Sequence, residues 1–554
     1  MNNNVKKLST WMPLLTGCVL AAGILIGYIA GGRNGGVATY KAGTANGKLA
    51  EIMHYIENNY VDEVSTDSLL ESLMPQLLSS LDPHSTYIPA EDFAAVNESL
   101  EGSFSGIGIT FNMLTDTITV DEVISGGPSE KVGIMPGDRI VTVNDSVVAG
   151  KSLSNEKVIS MLRGPRDTKV KVGVKRSSSP KLLDFEITRG QIPISSIDAA
   201  YMIDTSTGYI KVNQFGRTTF DEFINEAYRL QDEGARKLMV DLRGNGGGYM
   251  EMAILMANEF LNAGDPIVST RGRSSYDAQD AEADGSGNLK DMEIAVLTDE
   301  FSASASEILA GAVQDNDRGL IVGRRTFGKG LVQNQFMLSD SSAIRLTIAR
   351  YYTPSGRCIQ KSYLPGGIEA YEADILNRLD HGEFYSSDSV KIDKSIEFHT
   401  ASGRPVYGGG GIMPDIFVPR DTTGVTSYYL NVFDKGLLHR FAFDFNDTHR
   451  QNLSQASNVD QLFKRLPADD ALLKAFAEYA ERQGVPQRWY YINISSSLIV
   501  NQLKALIARN ALGTSAYYEV ANRRDPTVQR ALDALRMGAA RFPITPSRPA
   551  DRNN

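Results

Sequence analysis

From Tyr209 to Gly323 strand-like apolar runs alternate with helical ones, and this alternation limits the fold more than any other feature of the chain. GYIKVNQF, KLMVDLR, IAVLTD and GLIVG read as strands. FDEFINEAYRLQDEG, YMEMAILMANEFL and ASASEILAGAVQDN between them read as helices. A chain that keeps switching between these two periods predicts an α/β layered domain. AIRLTIARYYTP adds a further strand, and the acidic YDAQDAEADGSGNLKD (276–291), with no apolar period, reads as a mobile surface loop.

The rest of the 554 residues exceeds what one core can hold, so further domains are expected. Residues 1–33 carry Lys6 and Lys7 before an apolar run from Trp11 to Ala30, long enough to cross a bilayer as a helix. The lysines favour a cytoplasmic N-terminus, which places everything after Arg33 across the membrane. An uncleaved anchor is the reading adopted; a signal cleaved near Ala30 and Gly31, or a lipoprotein box at LTGC (15–18), are the alternatives. A Gly-rich linker (34–46) leads to two amphipathic helices within 47–95. Residues 96–190 form a β-rich domain with one main helix, 191–424 the α/β domain, 425–545 a helical region and 546–554 a disordered tail. With only Cys18 and Cys358, a disulfide framework is excluded. A formal charge of −10 argues against nucleic acid as a main partner.

Three stretches could carry chemistry. GRRTFGKG (323–330) has phosphate-loop spacing, but Gly330 stands where Ser or Thr should be and a strand, not a helix, follows. DLRGNGGGYM is either a tight strand-to-helix turn or an oxyanion site made of bare backbone N–H groups. SASASE (302–307) offers Ser302, Ser304 and Ser306 at a helix start, where orphan N–H groups could stabilise an oxyanion. Ser304 and Glu307 also fit a capping box. None of the six histidines stands out as a base, and His84 in LDPHSTY reads as a turn residue. A lysine can serve if apolar surroundings keep it neutral, and Lys329 lies among Phe327, Leu331 and Val332. If residues 329–333 form a strand, Gln333 shares the face of Lys329 and could orient its amine. Ser154 and Lys157 repeat an S-x-x-K spacing without its companion motifs.

Taken together, LDPHSTYIPAEDF, DLRGNGGG, SASASEILAGAVQDN, GRRTFGKGLVQ, YYTPSGRCIQ and GGGIMPDIFV resemble the C-terminal (tail-specific) processing peptidases, serine endopeptidases with a Ser–Lys pair. The resemblance implies Ser304 as nucleophile, Lys329 as general base supported by Gln333, and an oxyanion hole from the N–H groups of Ala305 and Gly247. It also implies a ClpP/crotonase-like peptidase core with an inserted PDZ domain, the N-terminal helical segment and the C-terminal helical region lying outside that core. FSGIGITF resembles a PDZ carboxylate-binding loop, so Gly106, Ile107, Gly108 and Ile109 would bind a substrate C-terminus added as a strand. Such an enzyme needs no metal or other cofactor. Its partners would be proteins with exposed C-termini, and the membrane through the N-terminal anchor; homo-oligomerisation stays open. The expected place is the bacterial inner membrane with a periplasmic catalytic domain, or the periplasm after signal cleavage. The competing functional readings are an inactive PDZ-bearing scaffold of the envelope and, further off, an NTPase.

Overall fold

The computed structural model describes residues 45–538 except 114–115, 125, 177–178, 364–366, 392 and 394. The N-terminal apolar run and the C-terminal tail lie outside the described residues. Among the described residues no helix is long and apolar enough to cross a membrane. The N-terminal unit, up to Gln76, contains the Ala45–Asn59 helix and most of the Thr66–Ser79 helix.

The rest is built on a six-stranded sheet, in the order Ile197–Met202, Thr207–Val212, Lys237–Asp241, Glu293–Thr298, Leu320–Gly323, Ile416–Phe417. The first pair is antiparallel and the others parallel. Every residue of Thr207–Val212 is buried, as a strand covered on both faces requires. On one face lie the Thr219–Asp232, Met250–Asn258 and Ala305–Asp315 helices, packing Phe223, Met256 and Leu309 into the main core. The other face is covered by the last helix, Pro526–Met537, through Val528, Ala531, Leu532 and Leu535. Thus the end of the helical region belongs physically to the α/β domain. Its remaining helices pack around a core of their own that includes Phe441, Phe476, Ile492 and Leu503.

A second, antiparallel sheet runs Thr86–Ile88, Ala343–Tyr352, Pro266–Gly272, Gln279–Glu282, with Leu331–Met337 also pairing on Ala343–Tyr352. This corrects the reading of 276–291 as a loop without structure. Gln279–Glu282 is an edge strand, Ala283 and Leu289 are buried, and the Leu289 N–H donates to the Glu259 carbonyl at 3.0 Å. The acidic residues face outward while the few apolar ones dock, which leaves no period to read along the sequence.

The β-rich domain is a sheet in the order Ile109–Asn112, Ile118–Val123, Arg139–Val143, Lys169–Lys175, Leu183–Thr188. The Asn155–Leu162 helix covers it with Val158 and Leu162. Ser154 caps that helix, accepting from the Lys157 N–H at 3.3 Å, so the S-x-x-K spacing there is structural.

Candidate active site

Two neighbouring parallel strands, Lys237–Asp241 and Glu293–Thr298, end side by side and deliver the glycine run and the serine run to one place. Several bonds stitch these loops together. Asp299 Oδ1 accepts from the N–H groups of Gly244 (2.9 Å) and Phe301 (3.0 Å). The Ala303 N–H donates to the Asn245 carbonyl at 3.0 Å. Ser302 and Ser306 are fully buried, their hydroxyls donated to the carbonyls of Leu242 (2.9 Å) and Asn245 (3.0 Å). Ser304 alone of the three reaches solvent. Its φ of 57° with ψ of −115° is a conformation that a residue with a Cβ rarely adopts, held at the first turn of the Ala305–Asp315 helix. The geometry therefore separates three serines that composition leaves equivalent.

What fixes this turn also fixes the lysine loop. The fully buried Glu307 accepts from the N–H groups of Ser304 (2.9 Å) and Lys329 (2.8 Å), and from Gly328 N–H (2.8 Å) and the Thr326 hydroxyl (2.5 Å). Burial pushes its carboxyl up to about 7, against the pull of these four donors. From the other side the buried Tyr351 hydroxyl lies against two carbonyls, of Ser304 at 3.1 Å and of Lys329. One carboxylate thus holds both N–H groups, and one phenol touches both carbonyls.

Lys329 is half-buried, and its Nζ donates to Gln333 Oε1 at 3.0 Å. Burial first, then the positive Arg345, lower its amine below the ordinary lysine range. Gln333 in turn donates its amide N–H to the carbonyl of His84 at 2.5 Å. His84 is a turn residue as expected, and its place at the site is through that carbonyl. Asp82 builds the turn by accepting from the N–H groups of His84 (2.8 Å) and Ser85 (2.9 Å) and from the Ser85 hydroxyl (2.6 Å). The imidazole of His84 meets Tyr371 Oη at 2.8 Å, and burial with the nearby Lys329 lowers its pKa to about 4. The strand after Lys329 begins at Leu331, and an irregularity in its pairing falls between Val332 and Gln333.

The Ala305 N–H, first in its helix, has no acceptor among the described residues. Gly247 lies against it: at φ +99°, a Cβ there would come within 2.7 Å of Ala303 O and Ser304 Cβ and 2.9 Å of Ala305 N. Only glycine permits this approach. The Gly247 N–H itself is donated to Asn245 Oδ1 at 2.8 Å, whereas the Gly248 N–H has no acceptor among the described residues.

Away from this centre, Ile109–Asn112 is an edge strand whose outer side faces a groove of about 600 Å³. Phe104, Ile107, Gly108, Ile109, Ile159 and Leu162 are among the residues that line it. Ile107 is also buried in the core of the β-rich domain, while Gly108, at φ +78°, turns the chain into the edge strand. Gly106 ends the short strand Ser103–Gly106 that pairs with Gly190–Pro193. A strand-edge groove with a glycine loop at one end can take an extended peptide by its C-terminus.

Glu307 was visible in the sequence only as a helix cap, and Tyr351, Asp82 and Arg345 carried no chemical signal. They act through tertiary contacts distant in the chain, for example Glu307 with Lys329, 22 residues apart, and Asp82 with Thr347, 265 residues apart.

Residues 206–370 match peptidase family S41, residues 105–187 a PDZ domain, and residues 428–513 a family of unknown function. The carboxy-terminal-processing protease of Bartonella bacilliformis is 34% identical over 379 residues, which cover 68% of this chain and 84% of that protein. A probable CtpA-like serine protease of Staphylococcus aureus is 33% identical over 313 residues, 56% of this chain and 62% of that protein. Among solved structures, a photosystem II D1 C-terminal processing protease aligns at 28% identity with a TM-score of 0.32, covering 56% of this chain and 89% of that one.

Proposed function

The chain belongs to the carboxy-terminal-processing serine proteases of peptidase family S41, and we propose that Ser304 is its nucleophile and Lys329 the general base. It is a serine-type peptidase with a PDZ domain, of mixed α/β build with a helical C-terminal region. The observation that carries the assignment is the shared clamp: Glu307 and Tyr351 hold the backbones of Ser304 and Lys329 in one fixed relation. A pair that must exchange a proton needs that constancy.

Neutral Lys329 takes the proton of the Ser304 hydroxyl as the oxygen attacks a peptide carbonyl carbon. The oxyanion forms against the N–H of Ala305 and, in the glycine run, that of Gly248, since the Gly247 N–H is taken by Asn245. Collapse breaks the C–N bond, the amine leaves with the proton held by Lys329, and an acyl-Ser304 ester remains. Lys329 then deprotonates a water that hydrolyses the ester. Gln333 keeps the amine aimed, and the His84 carbonyl keeps Gln333 aimed.

The peptidase core is assigned to the ClpP/crotonase-like folds, on the motif resemblance and the layered parallel sheet. The groove at Gly106–Ile109 takes protein C-termini, the carboxylate at the loop and the peptide along Ile109–Asn112. The apolar run at Trp11–Ala30 anchors the enzyme in the inner membrane with the catalytic part in the periplasm. An inactive scaffold gains no support, since Ser304, Lys329 and Gln333 are all in place.

A serine-directed fluorophosphonate tests the assignment. Intact mass should show one adduct on the wild type, mapped to the peptide containing Ser304, absent in Ser304→Ala and slowed in Lys329→Ala. A wild type that cleaves protein yet is labelled at another serine would overturn it.

A further inference from the structure

The groove of the β-rich domain is not bounded by that domain alone. Arg440, from the Leu437–Leu453 helix of the C-terminal region, lines it together with Asn112, Met113, Asn155 and Ile159. The neighbours of Arg440 on that helix show which end of the groove it reaches. His439 and Phe443 line a small cavity with Asn112 and Asp121, at the far end of the edge strand from the glycine loop. The junction is continued by Asp447, whose carboxylate lies 4.0 Å from Arg139, and by Arg450, packed on Gly137.

Charge distinguishes Arg440 from the other cation of the groove. Arg163 is paired with Glu98 and stacked 4.2 Å from the ring centre of Phe104. Arg440 has no ion pair among the described residues, and its buried Nε has no hydrogen-bond partner there. Asp444, one turn along and hydrogen-bonded to Tyr479, lies within the field of the Arg440 charge but forms no ion pair with it. Arg440 thus lines the groove as a cation without a paired carboxylate among the described residues, and an incoming carboxylate would supply one through a charge-assisted bond.

We propose that the C-terminal helical region completes the peptide groove and that Arg440 selects C-termini with an aspartate or glutamate three or four residues before the terminal carboxylate. The position follows from strand geometry. A peptide with its carboxylate at Gly106–Gly108 runs along Ile109–Asn112 at about 3.3 Å per residue, and its third or fourth upstream residue stands opposite Asn112 and Met113. The apolar lining at Ile109, Phe111 and Ile159 suits the last residues, and Arg440 supplies the polar contact beyond them. The inference rests on the reading of this groove as the binder of C-termini.

Fluorescence anisotropy on the full chain carrying Ser304→Ala, so that peptides stay intact, tests both readings separately. The probes are a decapeptide ending in valine with glutamate at the third and fourth positions before it, its glutamine twin, and the C-terminal amide of each. The glutamate peptide should bind about tenfold tighter than the glutamine peptide, in keeping with one charge-assisted bond, and the gap should narrow with salt. Arg440→Gln should abolish the gap and leave the glutamine peptide unchanged, which also shows that the groove is intact; Arg440→Glu should reverse the order. Equal affinity of the two acids for the Arg440 protein, or a gap that survives Arg440→Gln, would overturn the role of Arg440 alone. Amides that bind as tightly as acids would instead overturn the capture of C-termini, and this proposal with it.

Discussion

Lys329 can accept a proton from Ser304 only when it is neutral, so its surroundings set the working pH. Burial and then the charge of Arg345 both lower the amine below its ordinary range. Activity should therefore rise with pH as Lys329 loses its proton, with the midpoint of the rise below the ordinary lysine value of about 10.4. Arg345→Gln removes one of the two causes, so the rising limb of kcat/KM should move to higher pH; a limb that stays in place contradicts this. Gln333→Leu frees the amine and should lower kcat by roughly 10- to 100-fold while KM moves little, in steady-state assays. His84 bears on stability rather than on the proton transfer, and in the same direction with pH. Its folded pKa of about 4 lies below the ordinary 6.5, so its contribution is full above 6.5 and is lost as pH falls toward 4. The melting temperature of the wild type should fall more between pH 7 and 4.5 than that of His84→Gln. These residues were unequally legible. Lys329 and Gln333 share a motif and Glu307 shows as a cap for Ser304, but the bonds of Glu307 and Tyr351 to Lys329 span 22 residues and leave no local pattern.

The turn between strand Lys237–Asp241 and the Met250–Asn258 helix is where backbone shape matters most. At Gly247 a methyl group would meet Ala303 O and Ser304 Cβ at 2.7 Å, at a φ that disfavours any side chain. Gly247→Ala should cost roughly 1–3 kcal/mol in urea unfolding, and most of the activity, because relief of the clash displaces Ser304. The last helix makes a complementary case. PTVQRALDALRM was readable as a helix from its spacing, but nothing in it shows that Leu532 and Leu535 seal the second face of the central sheet. Leu532→Ala should cost about 2–4 kcal/mol in urea unfolding, although it lies outside the recognised peptidase motifs. Its cap, Asp525, also holds Arg243 of the glycine-run loop at 2.8 Å, which ties the helical region to the site. The edge strand Gln279–Glu282 was missed for a different reason: it pairs with the neighbouring strand Pro266–Gly272, but its acidic, outward-facing residues leave no apolar period to read.

At the scale of the molecule, substrate capture and bond cleavage use different elements, a strand-edge groove and a pair of loops at the ends of parallel strands. The β-rich, α/β and helical segments differ in apolar period along the sequence and hold separate cores, but the last helix buries its apolar face on the central sheet rather than in the helical core. How the helical region meets the other two was not visible, since Arg440, Asp447 and Asp525 are ordinary surface charges until the fold places them. The most direct test follows cleavage of an unstructured protein with an apolar C-terminus by wild type, Ser304→Ala, Lys329→Ala and Ser306→Ala, each shown to be folded. The account predicts that loss of either Ser304 or Lys329 abolishes cleavage, whereas Ser306→Ala, which gives up only one buried hydrogen bond, keeps most of it. Sustained cleavage by folded Ser304→Ala or Lys329→Ala would contradict the assignment of the Ser–Lys pair.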